Sequence, residues 1–415
     1  MDTPKLLAQP LPQHLAKPLA LLGGLSPQVF MKRHWQKKPL LIRQAVPELA
    51  RQGPLLDRSA LFDLAAEDDV ESRLIVQNAG KKGWQLKQGP FARRALPPLK
   101  TPGWTLLVQG VDLQVQALRG LMDQFRFLPD ARLDDVMISY ASDGGGVGPH
   151  FDSYDVFLLQ AQGTRRWHIS RQKDLSLQAG APLKILQNFE PEQSFDLVAG
   201  DMLYLPPKWA HDGVAVGECM TYSIGFRAPG KGEMARELLQ RLADDAVDEI
   251  GGALYTDGKQ VATENPGQIP QALQAFAQQA LLEAVANPRT QARALGESLT
   301  EPKSSVWFDT APPQSPRVAQ GAKQAARHGG GDVTGVAALR GGIFLDRRTK
   351  MLYDDWHVFI NGESFSASGR DATLMRQLAD QRELAHAALT RASVGAKSLL
   401  QDWLQAGWIH GLGQN

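Results

Sequence analysis

The feature that most constrains the fold of this 415-residue chain is a series of short β-like runs between residues 104 and 228. The runs are rich in branched and aromatic residues, and Gly, Pro and Asp separate them. They read WTLLVQGVD, DDVMISYAS, YDVFLLQAQ, RRWHIS, DMLYLPP and CMTYSIGFRAP. Short strands at this spacing are typical of an antiparallel sandwich or barrel. We therefore predict a β-structured core over 104–228.

The segments on either side of this core have different patterns. Residues 1–100 read as mixed helix and short strand. Ser26 is a predicted N-cap for a helix within 26–45, and the run KPLLIR, residues 38–43, has strand character. The runs 232–250 and 269–286 have apolar residues at helical spacing. These helices either pack on the same chain or form a dimer interface. We predict a first domain over 1–228 and a helical region over 229–305.

The C-terminal part, 306–415, begins with a linker over 310–332 that is rich in Pro, Gly, Ala and Gln. Asn361-Gly362, between two apolar runs, predicts a two-residue β-hairpin. A small hairpin flanked by helices is similar to a winged-helix module. Its basic residues can meet phosphates, or form a solvated loop because acidic residues lie beside them. The basic residues are Arg340, Arg347, Arg348 and Lys350, and the acidic ones are Asp346, Asp354 and Asp355.

Composition excludes several classes of protein. The formal net charge is +1, so the chain is not a dedicated nucleic-acid binder, and any such contact must be a local patch. One cysteine, Cys219, excludes internal disulfides and Cys-rich zinc sites. The apolar piece at 19–25 is too short for a membrane span, and no signal-peptide pattern is present. We expect a cytoplasmic protein without a membrane partner.

The run GGGVGPH, residues 144–150, raises the question of a phosphate-binding loop. Such a loop needs a lysine followed by Ser or Thr and then a helix. Here the glycines lead into Pro149 and a β run, and no lysine follows. A steric role is favoured instead, in which the glycines let the loop pass close to a metal and a substrate.

His150 and Asp152 form a candidate metal site. Residues two apart on a strand project from the same face, so the imidazole and the carboxylate can converge. Within the β-rich region, His168 and His211 are candidates for a third ligand. His211 is favoured because it follows a strand that ends in Leu-Pro-Pro. Two histidines and one carboxylate suit non-haem Fe(II) with open positions, although zinc is also compatible.

The pair Arg165–Arg166 is a candidate anchor for a cosubstrate. A 2-oxo acid that chelates iron needs a cation for its far carboxylate, and guanidinium binds carboxylate with two parallel hydrogen bonds. Neighbours on a strand point to opposite faces, so one of the two arginines can face inward. Arginine side chains are usually exposed, and both can be outward charges. The position beside Trp167 favours Arg165.

These motifs together carry a resemblance to a known family. The segments 30–45, 137–170 and 200–215 are similar to those of JmjC-type 2-oxoglutarate oxygenases of the cupin superfamily, and more closely to bacterial ribosomal oxygenases. The resemblance implies an α+β protein with a double-stranded β-helix core, a helical dimerisation region and a C-terminal winged-helix-like domain.

The resemblance also implies roles for individual residues. His150, Asp152 and His211 would bind Fe(II), and Arg165 the distal carboxylate of 2-oxoglutarate. Family members also have a small hydroxyl residue just before the glycine run, where this chain has Ala141. Ser139 and Ser142 lie nearby, and which of them contributes is open.

The implied activity is hydroxylation, with O2, of an arginine at C3 in a large-subunit ribosomal protein, the one numbered sixteen. Asp143, Tyr154 and Asp155 are candidate contacts for the arginine, although Asp143 is equally suited to a turn. The alternatives are a histidine hydroxylase, a demethylase, or a non-catalytic cupin and winged-helix regulator. The expected partners are the ribosomal protein, a second copy of the chain and, through the C-terminal domain, RNA.

Overall fold

The computed structural model describes residues 13–77, 83–309 and 341–412. The chain divides into two compact units, Met1–Ala228 and Pro229–Asn415. The finer division at 305/306 stays a prediction, and the predicted linker over 310–332 lies outside the described residues, as does Arg340.

The first unit is built on antiparallel strands. Its strands are β1 Leu40–Ile42, β2 Ser72–Gln77, β3 Trp84–Gln88, β4 Trp104–Val108, β5 Leu133–Ala141, β6 His150–Phe151, β7 Val156–Ser170, β8 Gln193–Val198, β9 Met202–Leu205 and β10 Ala210–Phe226. Its helices are α1 Gln13–Ala16, α2 Pro27–Arg33, α3 Glu48–Gln52, α4 Arg58–Leu64 and α5 Gln116–Asp123. The strand order is β1-β9-β7-β10-β5-β4-β2-β3, while β6 pairs with β10 and β8 pairs with β7.

The long strands β7 and β10 belong to two sheets. The beginning of β7 pairs with β9 and with the end of β10, which also pairs with β5. We name the sheet that contains these halves the major sheet. The end of β7 pairs with β8 and with the beginning of β10, which also pairs with β6. We name this second sheet the minor sheet. Two sheets joined in this way form the predicted double-stranded β-helix.

A bend in β7 and β10 separates the two sheets. The pairing of the strands shifts between Val216 and Met220, and Gly163 has a φ of 67° on the opposite strand. A Cβ at Gly163 would lie 2.2 Å from the backbone oxygen of Glu218. Glycine is therefore required where the two strands turn from one sheet into the other.

The core lies on both sides of the major sheet. On its outer side the N-terminal helices pack against the sheet, and Phe30 of α2 meets Tyr204 edge to face at 5.0 Å between ring centroids. Between the sheets lies a smaller apolar cluster that includes Ile169, Leu197 and Leu203. Burial of each such side chain contributes about 1.5–3 kcal/mol to stability.

The helix predicted within 26–45 is shorter than its pattern. Ser26 caps it as predicted, accepting a hydrogen bond from the Val29 backbone N–H at 3.3 Å. The helix ends at Arg33, and the chain continues through Pro39 into β1. Proline disfavours helix at the residue before it, and the apolar residues after it pair with β9, which confirms the strand predicted at KPLLIR.

The second unit begins with helices and continues into a small α+β structure. Its helices are α6 Lys231–Ile250, α7 Gln271–Ala284, α8 Pro288–Thr300, α9 Gly369–Gln381, α10 His386–Thr390 and α11 Val394–Gln405. Its strands are β11 Ile343–Leu345, β12 Met351–Tyr353, β13 His357–Ile360, β14 Glu363–Ser366, β15 Glu383–Leu384 and β16 Ile409–Gly411. They form two three-stranded sheets, β15-β11-β16 and β12-β13-β14.

The predicted hairpin is confirmed. Asn361 and Gly362 connect β13 to β14 with φ angles of 47° and 87°, the left-handed conformations of a tight two-residue turn. The turn packs on α8, where Thr300 Oγ1 accepts a hydrogen bond from the Gly362 N–H at 3.1 Å. Among the predicted basic residues, Arg348 forms an ion pair with Asp346 at 2.8 Å.

In the part of the chain that the structure describes, no helix combines the length and apolar character needed to cross a membrane.

Candidate metal and cosubstrate site

Three of the predicted ligands converge at one end of the minor sheet. His150 on β6 and His211 on β10 are directly paired across the strands, and Asp152 follows β6 by one residue. The possible ligand atoms of all three lie within 4.8 Å of one another. The turn before β10 helps to hold the third, because the Lys208 N–H donates to the Asp152 backbone oxygen at 2.7 Å. His168 faces away, with Nδ1 2.6 Å from Ser194 Oγ.

Hydrogen bonds fix which nitrogen of each imidazole is free. His150 Nδ1 is 2.8 Å from the Gly148 carbonyl oxygen, and His211 Nδ1 is 2.9 Å from the Trp209 carbonyl oxygen. A carbonyl only accepts, so each Nδ1 carries the proton and donates. Each Nε2 then keeps its lone pair, which is the arrangement of a metal-ligating histidine. His211 Nε2 lies 3.7 Å from Asp152 Oδ2, so nitrogen and carboxylate face the same point.

The environment keeps His211 uncharged. Complete burial, and secondly the neighbouring His150, lower the pKa of His211 to about 4. A neutral imidazole is the form that binds a metal ion, so no proton has to leave this residue near neutral pH.

Arg165 is the inward member of the arginine pair. Its side chain is only 3% exposed, and its Nε and Nη2 have no hydrogen-bond partner among the described residues. Arg166 lies on the opposite face, where it binds Asp196 at 2.7 Å. A buried guanidinium without an acceptor is costly, so the position is suited to an anion that completes its hydrogen bonds.

The arrangement of these groups fits a metal ion and a dicarboxylate. Arg165 on β7 pairs with Ala215 on β10, four residues after His211 on the same strand. Residues at even spacing share a face, so Arg165 and His211 face the same side of the minor sheet. Their backbone positions are four residues apart along the sheet, about 13 Å. A ligand that chelates at the histidines can therefore extend towards a long guanidinium side chain. The donor set suits Fe(II), and the orphaned guanidinium suits the far carboxylate of a 2-oxo acid.

The two serines that are candidates near the glycine run differ in the hydrogen bonds of their hydroxyl groups. Ser142 Oγ accepts from the Trp104 N–H at 3.1 Å and donates to the Trp104 oxygen at 3.3 Å, so its hydroxyl serves the backbone. Ser139 Oγ donates a long hydrogen bond, 3.5 Å, to the Thr221 backbone oxygen. Ala141, between them in sequence, packs with Ala215 and Cys219.

The predicted substrate contacts lie in three different environments. Asp143 is exposed at a turn, where Oδ1 accepts from the Gly217 N–H at 2.8 Å. Tyr154 is 39% exposed, and partial burial of its hydroxyl and the nearby Asp152 raise its pKa. Asp155 is fully buried. These three residues are not brought together as one surface.

Asp155 has a structural environment that its sequence position did not indicate. Oδ1 accepts from the Tyr204 hydroxyl at 2.6 Å, and Oδ2 accepts from Gln36 Nε2 at 3.1 Å. Arg132 Nη2 lies 3.5 Å from the same Oδ2. The carboxylate thus binds side chains from three other segments of the first unit, and its burial gives no support to its predicted role as a substrate contact.

The glycine run is packed against backbone. A Cβ at Gly145 would lie 2.4 Å from the Trp104 oxygen, and a Cβ at Gly146 would lie 2.6 Å from the Gly213 oxygen. The steric prediction is therefore corrected at these two positions, because the glycines admit neighbouring strands rather than a substrate. The run also supplies the Gly148 oxygen that orients His150, which the sequence pattern did not reveal.

Comparisons with known proteins agree with this geometry. Residues 120–234 match the model of the JmjC domain, and residues 334–410 match that of the ROXA-like winged helix. The ribosomal protein uL16 3-hydroxylase of Escherichia coli is 34% identical over 83% of this chain and 86% of that protein.

Solved structures and more distant relatives extend the comparison. The E. coli ribosomal oxygenase YcfD, in complex with cobalt and 2-oxoglutarate, has a TM-score of 0.73 and 30% identity, covering 94% of this chain and 99% of that one. A bifunctional lysine-specific demethylase and histidyl-hydroxylase of Drosophila persimilis is 22% identical over 55% of this chain and 34% of that protein.

Proposed function

Since the chain belongs to the family of JmjC ribosomal oxygenases, we propose that it is an Fe(II)- and 2-oxoglutarate-dependent protein hydroxylase that acts on ribosomal protein uL16. The group modified is C3 of an arginine side chain, as the family resemblance implies. The uL16 3-hydroxylase of E. coli supports this proposal, because the chain spans 86% of that protein.

In this proposal His150, Asp152 and His211 hold Fe(II), and Arg165 holds the distal carboxylate of 2-oxoglutarate. The bound iron and cosubstrate supply the oxidising chemistry together with O2. The protein orients these groups, because the two carbonyl-bound imidazoles and the buried arginine fix positions on one face of one sheet. The single observation that carries the proposal is this combination of a ligand cluster and an unpartnered buried guanidinium.

Mass spectrometry tests the activity directly. The full chain is incubated with Fe(II), 2-oxoglutarate, O2 and large-subunit ribosomal proteins. A gain of one oxygen on a single arginine of uL16, absent with Asp152→Ala, is the expected result. Oxygen on a histidine would instead favour histidine hydroxylation, and loss of a methyl group would favour demethylation. If 2-oxoglutarate is not converted to succinate with any of these proteins, the enzymatic proposal fails.

The second copy of the chain is part of the proposal. Helix α7 has no buried residue, and four large apolar side chains on it are exposed: Leu273, Phe276, Leu281 and Leu282. Exposed apolar side chains concentrated on one helix are suited to a homodimer contact. Light scattering should give a dimer mass for the natural chain and a monomer mass for a Leu281→Glu, Leu282→Glu variant. An unchanged mass in the variant would count against this contact.

Contact with RNA and a cytoplasmic location are the remaining parts of the proposal. Ribosomal proteins are made in the cytoplasm, so the proposed substrate requires the enzyme to meet it there. The hairpin turn at Asn361-Gly362 packs on α8, which leaves less of it for a nucleic acid. Titration of the chain with ribosomal RNA at two salt concentrations tests the contact, because phosphate binding weakens steeply with salt.

A further inference from the structure

One side chain contacts both halves of the candidate site. Trp167 lies two residues after Arg165 on β7, and only 4% of the residue is exposed to solvent. The Arg165 Cζ atom lies 5.7 Å from the centroid of the Trp167 ring. The ring centroids of Trp167 and His211 are 5.8 Å apart. The indole therefore stands between the cosubstrate anchor and a metal ligand.

The residue beneath this indole, on the neighbouring strand β10, is a glycine. Gly213 is the register partner of Trp167. A Cβ at Gly213 would lie 2.6–2.8 Å from three atoms of the six-membered ring, Cζ3, Cη2 and Cε3. No other residue type fits without displacing the ring, so Gly213 sets the depth at which the indole lies on the sheet.

The contact matters most for Arg165. In the described part of the protein, no hydrogen bond restrains the Nε and Nη2 atoms of its guanidinium. A cation near an aromatic face is attracted by the ring. An arginine that is already oriented loses less side-chain entropy when a carboxylate binds it.

We propose that Trp167 is a positioning residue, which sets the Arg165 guanidinium relative to the His211 imidazole so that 2-oxoglutarate can reach both ends of the site. The inference rests on the proposed function, because it assumes the metal ion and 2-oxoglutarate at these residues. It adds a residue that contacts neither reacting atom and acts through its two neighbours.

Anaerobic titration of the Fe(II)-loaded full chain with 2-oxoglutarate tests the proposal without turnover. Chelation of iron by a 2-oxo acid gives a visible charge-transfer band, whose growth gives the Kd. Trp167→Leu removes the aromatic face and should raise the Kd about tenfold, the size expected for a desolvated cation–aromatic contact. Trp167→Phe keeps a face and should raise it about threefold or less.

Trp104 provides the matched control. It is fully buried and packs on Phe62 and Tyr140 on the outer side of the major sheet. Like that of Trp167, its indole N–H has no hydrogen-bond partner among the described residues. Trp104→Leu should lower the Tm as Trp167→Leu does, but leave the Kd for 2-oxoglutarate unchanged. Equal Kd changes in the two leucine variants would overturn the proposal, because general loosening of the fold would then explain both.

A double-mutant cycle adds a second test. Gly213→Ala should displace the indole and raise the Kd by a similar factor, whereas in the Trp167→Leu background it should add little, because the colliding ring is gone. Additive effects would contradict the proposal. If the natural chain gives no charge-transfer band, the proposed function itself fails. If it binds normally and so do all Trp167 variants, the inference alone fails.

Discussion

The two halves of the paired strands β7 and β10 differ in how their buried polar groups are satisfied. In the major sheet, Thr221 Oγ1 donates to Gln160 Oε1 at 2.8 Å, and Gln160 Nε2 donates to the Gln162 oxygen at 2.8 Å. In the minor sheet, Arg165 is almost as deeply buried, yet two of its nitrogens have no acceptor among the described residues. The same strands thus have hydrogen-bonded polar side chains at one end and a guanidinium that lacks hydrogen bonds at the other.

The informative part of this difference is that the partnerless group in the minor sheet is charged, whereas the indole N–H of Trp104 in the major sheet is neutral. Buried polar groups in proteins are hydrogen-bonded in the great majority of cases, so an exception needs an explanation. Asp155 follows the rule with three partners and stabilises the fold. Arg165 departs from it on the same sheet face as the candidate metal ligands. We expect mutations at the two kinds of position to change stability and ligand binding in opposite ways.

The largest effect is expected for Asp152→Ala. Removing the only carboxylate of the ligand cluster should lower both Co(II) affinity and hydroxylation by more than about 100-fold, since even residues that only orient ligands contribute 10–100-fold. Co(II) binding is measured by its visible absorption and activity by succinate formation. Asp196→Ala, on the outer face of the same sheet, is the control and should retain both.

The next effect tests the comparison most directly. Arg165→Met removes a buried charge whose Nε and Nη2 lack hydrogen bonds among the described residues, so the free energy of unfolding of the ligand-free protein should rise by about 1–3 kcal/mol. The affinity for 2-oxoglutarate should fall by about 100-fold, because a charge-assisted double hydrogen bond is lost. Urea unfolding and the anaerobic titration measure the two quantities. If Arg165→Met is less stable than the natural protein, the comparison fails. Arg166→Met is the control and should leave the affinity for 2-oxoglutarate unchanged.

The pH dependence of stability should reflect His211. Its pKa is lowered to about 4 in the folded protein, from 6.5. Between these values the unfolded state binds more protons, so the free energy of unfolding should fall as the pH decreases from 6.5 to 4. The fall should reach about 3 kcal/mol and be absent above pH 6.5. Urea unfolding of the metal-free protein at several pH values measures it. His211→Gln should remove this part of the slope, and an unchanged slope would contradict the assignment.

The smallest effect is expected for Asp155→Ala, the counterpart of Arg165→Met. Loss of the carboxylate leaves the Tyr204 hydroxyl and the Gln36 amide without acceptors, so the free energy of unfolding should fall by about 2 kcal/mol. The Kd for 2-oxoglutarate and the KM for uL16 should not change. A raised KM at full stability would restore Asp155 as a substrate contact.

Local spacing explains what could be predicted from the sequence. Alternation along a strand was enough to predict that one arginine of the pair faces inward, and the structure agrees for Arg165. Antiparallel β structure in 104–228 followed from the short strands and their turn residues, and it is confirmed. The spacing of His150 and Asp152 placed two groups on one face, and they lie together in the structure.

The remaining features depend on contacts between distant parts of the chain. Asp155 lies three residues after Asp152, but the irregular segment between β6 and β7 ends the alternation, and its partner Tyr204 is 49 residues away. Packing of Gly146 against Gly213 likewise joins two separate segments. Such contacts have no local signature, because register between distant strands decides them.

The passage of β7 and β10 through both sheets has a consequence for how the protein opens. The minor sheet takes its two central strands from the same continuous segments that form the centre of the major sheet. Backbone amides at the candidate metal site should therefore exchange with solvent no faster than those of the core, because both exchange through cooperative unfolding of the whole unit. Metal and cosubstrate would then enter and leave the site without local unfolding of the strands that form it.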